Sequence, residues 1–176
     1  MSGTKKLSLP LSRETILSLR AGDLVSLSGV IYAARDAAHL RMVQALDAGD
    51  PLPFPLKGAC IYYAGPCPAA PGEVIGPCGP TTSSRMDPYT PRLIAEGLSA
   101  IIGKGPRSDA VVSAIRNHAV YFAATGGAGL LISSHIKEAE VIAYPELGAE
   151  AVRRLIVEEL PLILAIDAAG NNLYKR

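Results

Sequence analysis

No apolar run in this sequence approaches the roughly 18 to 20 residues needed to cross a bilayer, although hydrophobic residues make up 49% of it and mean hydropathy is +0.26. A soluble chain is expected, with some apolar surface left over for a partner. An excess of charge is missing too: 17 basic residues stand against 16 acidic ones, and Lys and Arg gather no further than short pairs such as Lys5-Lys6 and the closing Lys175-Arg176. That balance argues against a nucleic-acid-binding surface. Met1 to Pro10 lacks the apolar core of a secretory signal, which points to the cytoplasm. Cysteine is scarce and odd in number, with Cys60, Cys67 and Cys78 alone, so free thiols are expected in a reducing compartment. There is no internal repeat and no low-complexity tract. A length of 176 residues fits one domain spanning 1–176, with residues 1–6 expected to be flexible.

What is present is an alternation of short apolar strands and amphipathic helices. Ser12 is placed to cap a helix over 13–19, and 23–32 alternates as a strand. From Ala34 the period becomes helical, with Ala37, Leu40, Val43 and Leu46 as the apolar stripe, Arg35 in the first turn and Gly49 as the stop. Three prolines make 50–56 a rigid connector, and 58–65 is a short buried strand. Thr90 and Pro91 read as the N-cap and first residue of a helix ending at Gly97, followed by a strand over 98–102. Ser108 caps a helix carrying Val111, Val112, Ile115 and Ala119. Strands follow at 121–124 and 138–144, then two more at 151–157 and 160–167. Strands interleaved with three or four helices describe a compact α/β domain.

The most informative stretch is 76–87, Gly-Pro-Cys-Gly-Pro-Thr-Thr-Ser-Ser-Arg-Met-Asp. Two Gly-Pro pairs impose a tight non-helical backbone, and four hydroxyl residues then precede an arginine. Hydroxyls and turn N–H groups can converge on an oxyanion, and a guanidinium fork matches a carboxylate or phosphate. A polar surface loop capping the next helix would look the same. Arg35 sits where a cation opposes the helix dipole unless it faces an anion. Lys104 stands between two glycines beyond a strand's carboxyl end, where open α/β sheets place ligand groups. A solvated side chain is the alternative for both. Together, Arg35, Arg85 and Lys104 beside Thr81-Thr82 describe a pocket for a small dianion. Next to Arg35, His39 reads as a packing or hydrogen-bonding residue. The Thr-Gly-Gly-Ala-Gly run at 125–129 has glycines near a helix start, but not at dinucleotide-loop spacing.

These residues also carry a family resemblance. Ala-Arg-Asp-Ala-Ala-His (34–39), Tyr-Ala-Gly-Pro (63–66), Gly-Pro-Thr-Thr-x-x-Arg-Met-Asp (79–87), Gly-Lys-Gly (103–105) and Tyr-Pro-Glu-Leu-Gly (144–148) are similar to the β part of the iron-sulfur hydro-lyases, the class I fumarases and L-tartrate dehydratases. The likeness covers about 7–172. It implies a swivelling β/β/α domain and a chain that works with an α subunit, as a hetero-oligomer, with a homodimer as an option for the chain alone. The α subunit would hold a four-iron four-sulfur cluster through three cysteines of its own, leaving no metal or cofactor on this chain. By motif position, the resemblance assigns Arg35, Arg85 and Lys104 to the carboxylates of a small dicarboxylate substrate, and Thr81 to the carbon that gains or loses a proton. Dehydrating a 2-hydroxy acid removes a weakly acidic C–H proton, and fixed cations must neutralise the charge spreading onto the neighbouring carboxylate. The hydroxyl would leave with help from a Lewis-acidic iron.

The implied activity is reversible conversion of (S)-malate to fumarate and water, a step of the tricarboxylic acid cycle, with L-tartrate dehydration as the same-mechanism alternative. A non-catalytic anion-binding assembly module is the alternative of another class. A stand-alone metalloenzyme using the three cysteines is the third. The cysteine separations of seven and eleven lack the C-x-x-C pair usual for clusters, which favours ordinary thiols.

Overall fold

The structure, a computed structural model, describes residues 3–125 and 127–175. Five strands close on one another. The first, β1 (Lys5–Ser8), lies outside this ring and runs parallel to β2 (Leu24–Ala33). Next in space come β3 (Cys60–Tyr62), β4 (Ala100–Gly103) and β5 (Val120–Ala123), each parallel to its neighbour. The long β7 (Val152–Ile166) then pairs antiparallel with both β5 and β2, completing the ring, while β6 (Ile136–Ala143) flanks β7. Lys5 and Lys6, expected to be loose, are therefore part of the sheet; residues 1 and 2 lie outside the described residues.

The alternation of strand side chains creates two cores. Inside the ring pack Val25, Leu27, Ile31, Cys60, Tyr62, Ile102, Phe122 and the inward residues of β7. The opposite faces, Ile61, Tyr63, Ile101 and Tyr121, meet three helices: α2 (Asp36–Ala48), α3 (Thr90–Ala95) and α4 (Asp109–Ile115). Both faces of β3 and β4 are thus buried, as parallel strands require. Two further helices, α1 (Arg13–Ser18) and α5 (Gly129–Ser134), stand where helices were read in the sequence and make five among the described residues, against the three or four expected in total.

Several local expectations hold. Ser12 and Ser108 cap α1 and α4 by accepting from the N–H groups of Thr15 and Val111. Gly49 ends α2 in the left-handed conformation that a glycine adopts without strain (φ 73°). Others are corrected. Arg35 is the residue preceding α2, in extended conformation, and not a member of its first turn. The buried face of α2 is Ala38, His39 and Met42, with Leu40 turned out to solvent. Tyr89 occupies the N-cap position of α3, and Thr90 lies inside the helix, its hydroxyl donating to the Met86 carbonyl. Residues 152–166 form one strand, where two were expected. Glu158 and Glu159 interrupt the apolar alternation, but the chain passes through with Glu159 at positive φ and stays in the sheet.

Candidate functional site

All four residues singled out from the sequence lie beyond the carboxyl ends of three adjacent parallel strands, where open α/β sheets bind ligands. Arg35 follows β2, and Lys104 follows β4. Thr81 and Arg85 lie on the loop that crosses the end of β3, where the Thr81 N–H donates to the Tyr63 carbonyl at 2.8 Å. Thr82 and Lys104 form a parallel bridge; the Ser83 N–H donates to the Lys104 carbonyl, and the Lys104 N–H to Ser83 Oγ, both at 3.0 Å. A Cβ on Gly103 would collide with Ser83 Oγ, so glycine is what lets the hydroxyl loop lie against β4.

The three cations differ in their partners. Arg85 pairs with Asp36, the first residue of α2, through Nε at 2.8 Å and Nη2 at 2.7 Å, with half of the arginine side chain exposed. Because Asp36 adjoins Arg35, this pair brings the hydroxyl loop to the start of α2. Arg35 lies against Gly65, where a Cβ would come within 3.0 Å of its Cδ and Nη1. Its Nε faces Glu150 at 3.8 Å, too far for a hydrogen bond, and both atoms are buried without another partner among the described residues. Glu150 belongs to a 3-10 turn (Pro145–Glu150) held to α2 by the Arg41–Glu146 ion pair, with the Arg41 guanidinium 5.1 Å from the centre of the Tyr144 ring. The Tyr-Pro-Glu-Leu-Gly motif is therefore the bracket that holds a carboxylate against Arg35. The Lys104 ammonium has no acidic partner among the described residues.

His39 serves as a structural neighbour. Its Nδ1 lies 2.8 Å from the Arg35 carbonyl, and its ring packs edge-on against Tyr63. Burial, opposed by the bond to the Arg35 carbonyl, pushes the imidazole down to about 4, so it is neutral at pH 7 and not a fourth cation.

Sequence reasoning missed the buried network beneath the loop. Arg107, with a fully enclosed side chain, donates to Asp87 at 2.7 Å, to Thr90 Oγ1 at 2.9 Å and to the Tyr63 hydroxyl at 3.1 Å. The Tyr121 hydroxyl lies 2.7 Å from Ser83 Oγ. Arg107 stands two residues after Gly-Lys-Gly with a proline between, and nothing local marks it as buried; its signal is tertiary.

Cys60 and Cys78 are buried free thiols, and burial raises both, Cys78 to about 12, which disfavours the thiolate a cluster iron requires. Cys67 is exposed, and among the described residues no three His, Cys, Asp or Glu side chains form a metal site. These residues do not fit an iron-sulfur cluster. A cleft of about 480 Å³ lined by Cys67, Val74, Val141 and Arg153 also contains none of the four candidate residues. No helix is long and apolar enough to cross a membrane among the described residues.

A closed, mixed α/β sheet whose strand-end loops carry two arginines, a lysine and a threonine hydroxyl defines the class of protein: a small α/β domain with polar, cation-bearing loops at one end of the sheet. Residues 3–176 match the family described as Fumarase C-terminus, and the chain belongs to that family. It is 37% identical over 172 residues to a Methanocaldococcus jannaschii protein named as the β subunit of an L(+)-tartrate dehydratase, covering 94% of this chain and 88% of that one. It is also 40% identical over 155 residues to the aerobic class I fumarate hydratase of Escherichia coli K12 (86% of this chain, 28% of that protein). Against fumarate hydratase 2 of Leishmania major it is 38% identical over 167 residues, 93% of this chain and 29% of that protein. The chain thus spans less than a third of those two fumarate hydratases.

Proposed function

We propose that this chain, as one domain over 1–176, is the β subunit of an iron-sulfur hydro-lyase, with fumarate hydratase as the leading activity. The observation that carries this reading is the family match across residues 3–176. The clustering of Arg35, Thr81, Arg85 and Lys104 beyond β2, β3 and β4 supports it independently. The cluster would belong to an α subunit, since the thiols here do not fit one, and a cytoplasmic α/β hetero-oligomer would be the working enzyme. The swivelling β/β/α description is part of the proposal: this chain would close over the partner's cluster and complete the site.

In this reading Arg35 and Arg85 hold the substrate carboxylates. Each faces one acidic side chain among the described residues, Glu150 and Asp36 respectively, and a dianion entering the site would displace it. Lys104, with no acidic partner among the described residues, neutralises charge that spreads from the carbanion onto the adjacent carboxylate. Thr81 moves the proton at that carbon. An ordinary hydroxyl is a weak base, so it needs a neighbouring cation, and the bridge between Thr82 and Lys104 keeps that lysine beside the loop. General acid–base catalysis is worth about two to four decades of rate. Thr81→Ala, assembled with its partner, should lose kcat on that scale; full activity would remove Thr81 from the chemistry.

The tartrate dehydratase relative, covered over 88% of its length by this chain, keeps L-tartrate as a second substrate reading.

A further inference from the structure

Beneath the candidate site is a polar network with one residue at its centre. The Arg107 side chain is completely enclosed and so does not reach a substrate beyond the strand ends. Its Nε donates to Asp87 Oδ1 at 2.7 Å, and its Nη2 to Thr90 Oγ1 at 2.9 Å and to the Tyr63 hydroxyl at 3.1 Å. The guanidinium lies 5.1 Å from the centre of the Tyr63 ring and 4.9 Å from that of Tyr121. The hydroxyl protons have one consistent arrangement around Thr90. Thr90 gives its proton to the Met86 carbonyl, so its lone pairs are left for Arg107 and for the Tyr63 hydroxyl 2.8 Å away.

These contacts reach the parts of the site that carry Thr81, Arg85 and Lys104. Tyr63 is also the residue whose carbonyl receives the Thr81 N–H, so Arg107 grips the side chain at the near end of the hydroxyl loop. Asp87, at the far end, follows Arg85 by two residues, and its second oxygen accepts the Ser108 N–H at 2.8 Å. Tyr121, beside the guanidinium, touches Ser83 Oγ at 2.7 Å and the Gly105 carbonyl at 2.9 Å, on either side of the Lys104 backbone. A buried ion pair contributes little net stability over a well-packed apolar replacement. What a guanidinium adds is direction, because its planar fork fixes several partners at once.

Resting on the hydro-lyase reading above, we propose that Arg107 is a positioning residue: it locks the Thr81–Asp87 loop to the ends of β3, β4 and β5 so that Thr81, Arg85 and Lys104 act together. Lysine at this position keeps the charge and loses the fork.

The test uses the complex with the α subunit, comparing wild type, Arg107→Lys and Tyr63→Phe, which removes only the hydroxyl. Hydrogen exchange is followed in 80–87 and 103–106, beside kcat, KM and the global unfolding midpoint. Displacing catalytic groups by about 1 Å can cost on the order of 100-fold. Arg107→Lys should therefore remain folded, exchange faster in those two segments and lose about 10- to 100-fold in kcat, with a smaller change in KM. Tyr63→Phe should move in the same direction by less, and it carries the test if Arg107→Lys does not fold. Wild-type kcat in a folded variant with altered stability alone would overturn the inference and leave Arg107 a structural residue. If the wild-type complex turned over neither malate nor tartrate, the hydro-lyase reading would fall; unchanged exchange in 80–87 and 103–106 would separately overturn the positioning role.

Discussion

At the scale of single residues, the arginines are the most exposed to test. Arg85 is held to Asp36 at a half-exposed position, so replacing it removes little packing. Arg85→Ala in the assembled enzyme should fold normally and lose at least about two decades of kcat/KM, because a charge-assisted contact to a carboxylate is gone from both ground and transition states. Steady-state kinetics beside a melting curve would check this; unchanged kcat/KM would support the non-catalytic anion-binding module. His39 gives a prediction of another kind. Its folded imidazole takes a proton only near pH 4, whereas an unfolded histidine does so near 6.5. Between those values the unfolded state binds more protons, so acid favours unfolding, by up to ~1.4 kcal/mol per pH unit for one group. The stability is fully present above pH 6.5 and falls away toward pH 4. Denaturant titrations at pH 7.5, 6 and 5 should show the decline, and His39→Gln should flatten it. Thr81, Arg85 and Lys104 could be singled out in sequence because glycines, prolines and hydroxyls punctuate their neighbourhoods, and Arg35 because it stands where a strand gives way to a helix; the roles of all four belong to the proposal. Arg107 and Asp87 were not, since their pairing spans 20 residues and depends on how α4 packs beside the loop.

At the scale of elements, caps and stops were readable because they rest on local chemistry: Ser12, Ser108 and Gly49 do what their types favour. Thr90 looked like another cap but spends its hydroxyl on Met86, Tyr63 and Arg107, a tertiary use that overrides its local preference. The single β7 was hidden for the same reason. Two glutamates broke the alternation, yet pairing with β2 on one side and with β5 and β6 on the other holds the strand together through the irregularity. The junction of β4 with the hydroxyl loop offers a sharp test. A methyl group on Gly103 would collide with Ser83 Oγ and come within 2.9 Å of Tyr63 Cδ2. Overpacking of this kind typically costs about 1–3 kcal/mol. Gly103→Ala should therefore lower stability by about that amount and reduce kcat, because the displaced Ser83 carries Thr81 and Lys104 with it. An alanine variant with wild-type denaturation midpoint and kcat would show that the loop is not seated there.

At the scale of the whole molecule, an α/β domain was readable from alternating strands and helices, but closure of the sheet was not. Closure depends on β7 reaching back to β2, a contact between residues 120 or more positions apart. The chain presents cations and a hydroxyl at one end of the sheet, buries two of its three thiols, and covers only part of the fumarate hydratases it matches. Its chemistry is accordingly proposed to require a second polypeptide. The most direct measurement is anaerobic co-expression with a candidate α subunit, iron reconstitution, and assay of the complex and of each subunit alone on (S)-malate and L-tartrate. The account predicts turnover by the complex, faster on malate, with none by this chain alone. Preferential turnover of tartrate would keep the mechanism and change the substrate. Turnover by the isolated, cluster-free chain, or inactivity of a fully clustered complex on both substrates, would contradict it.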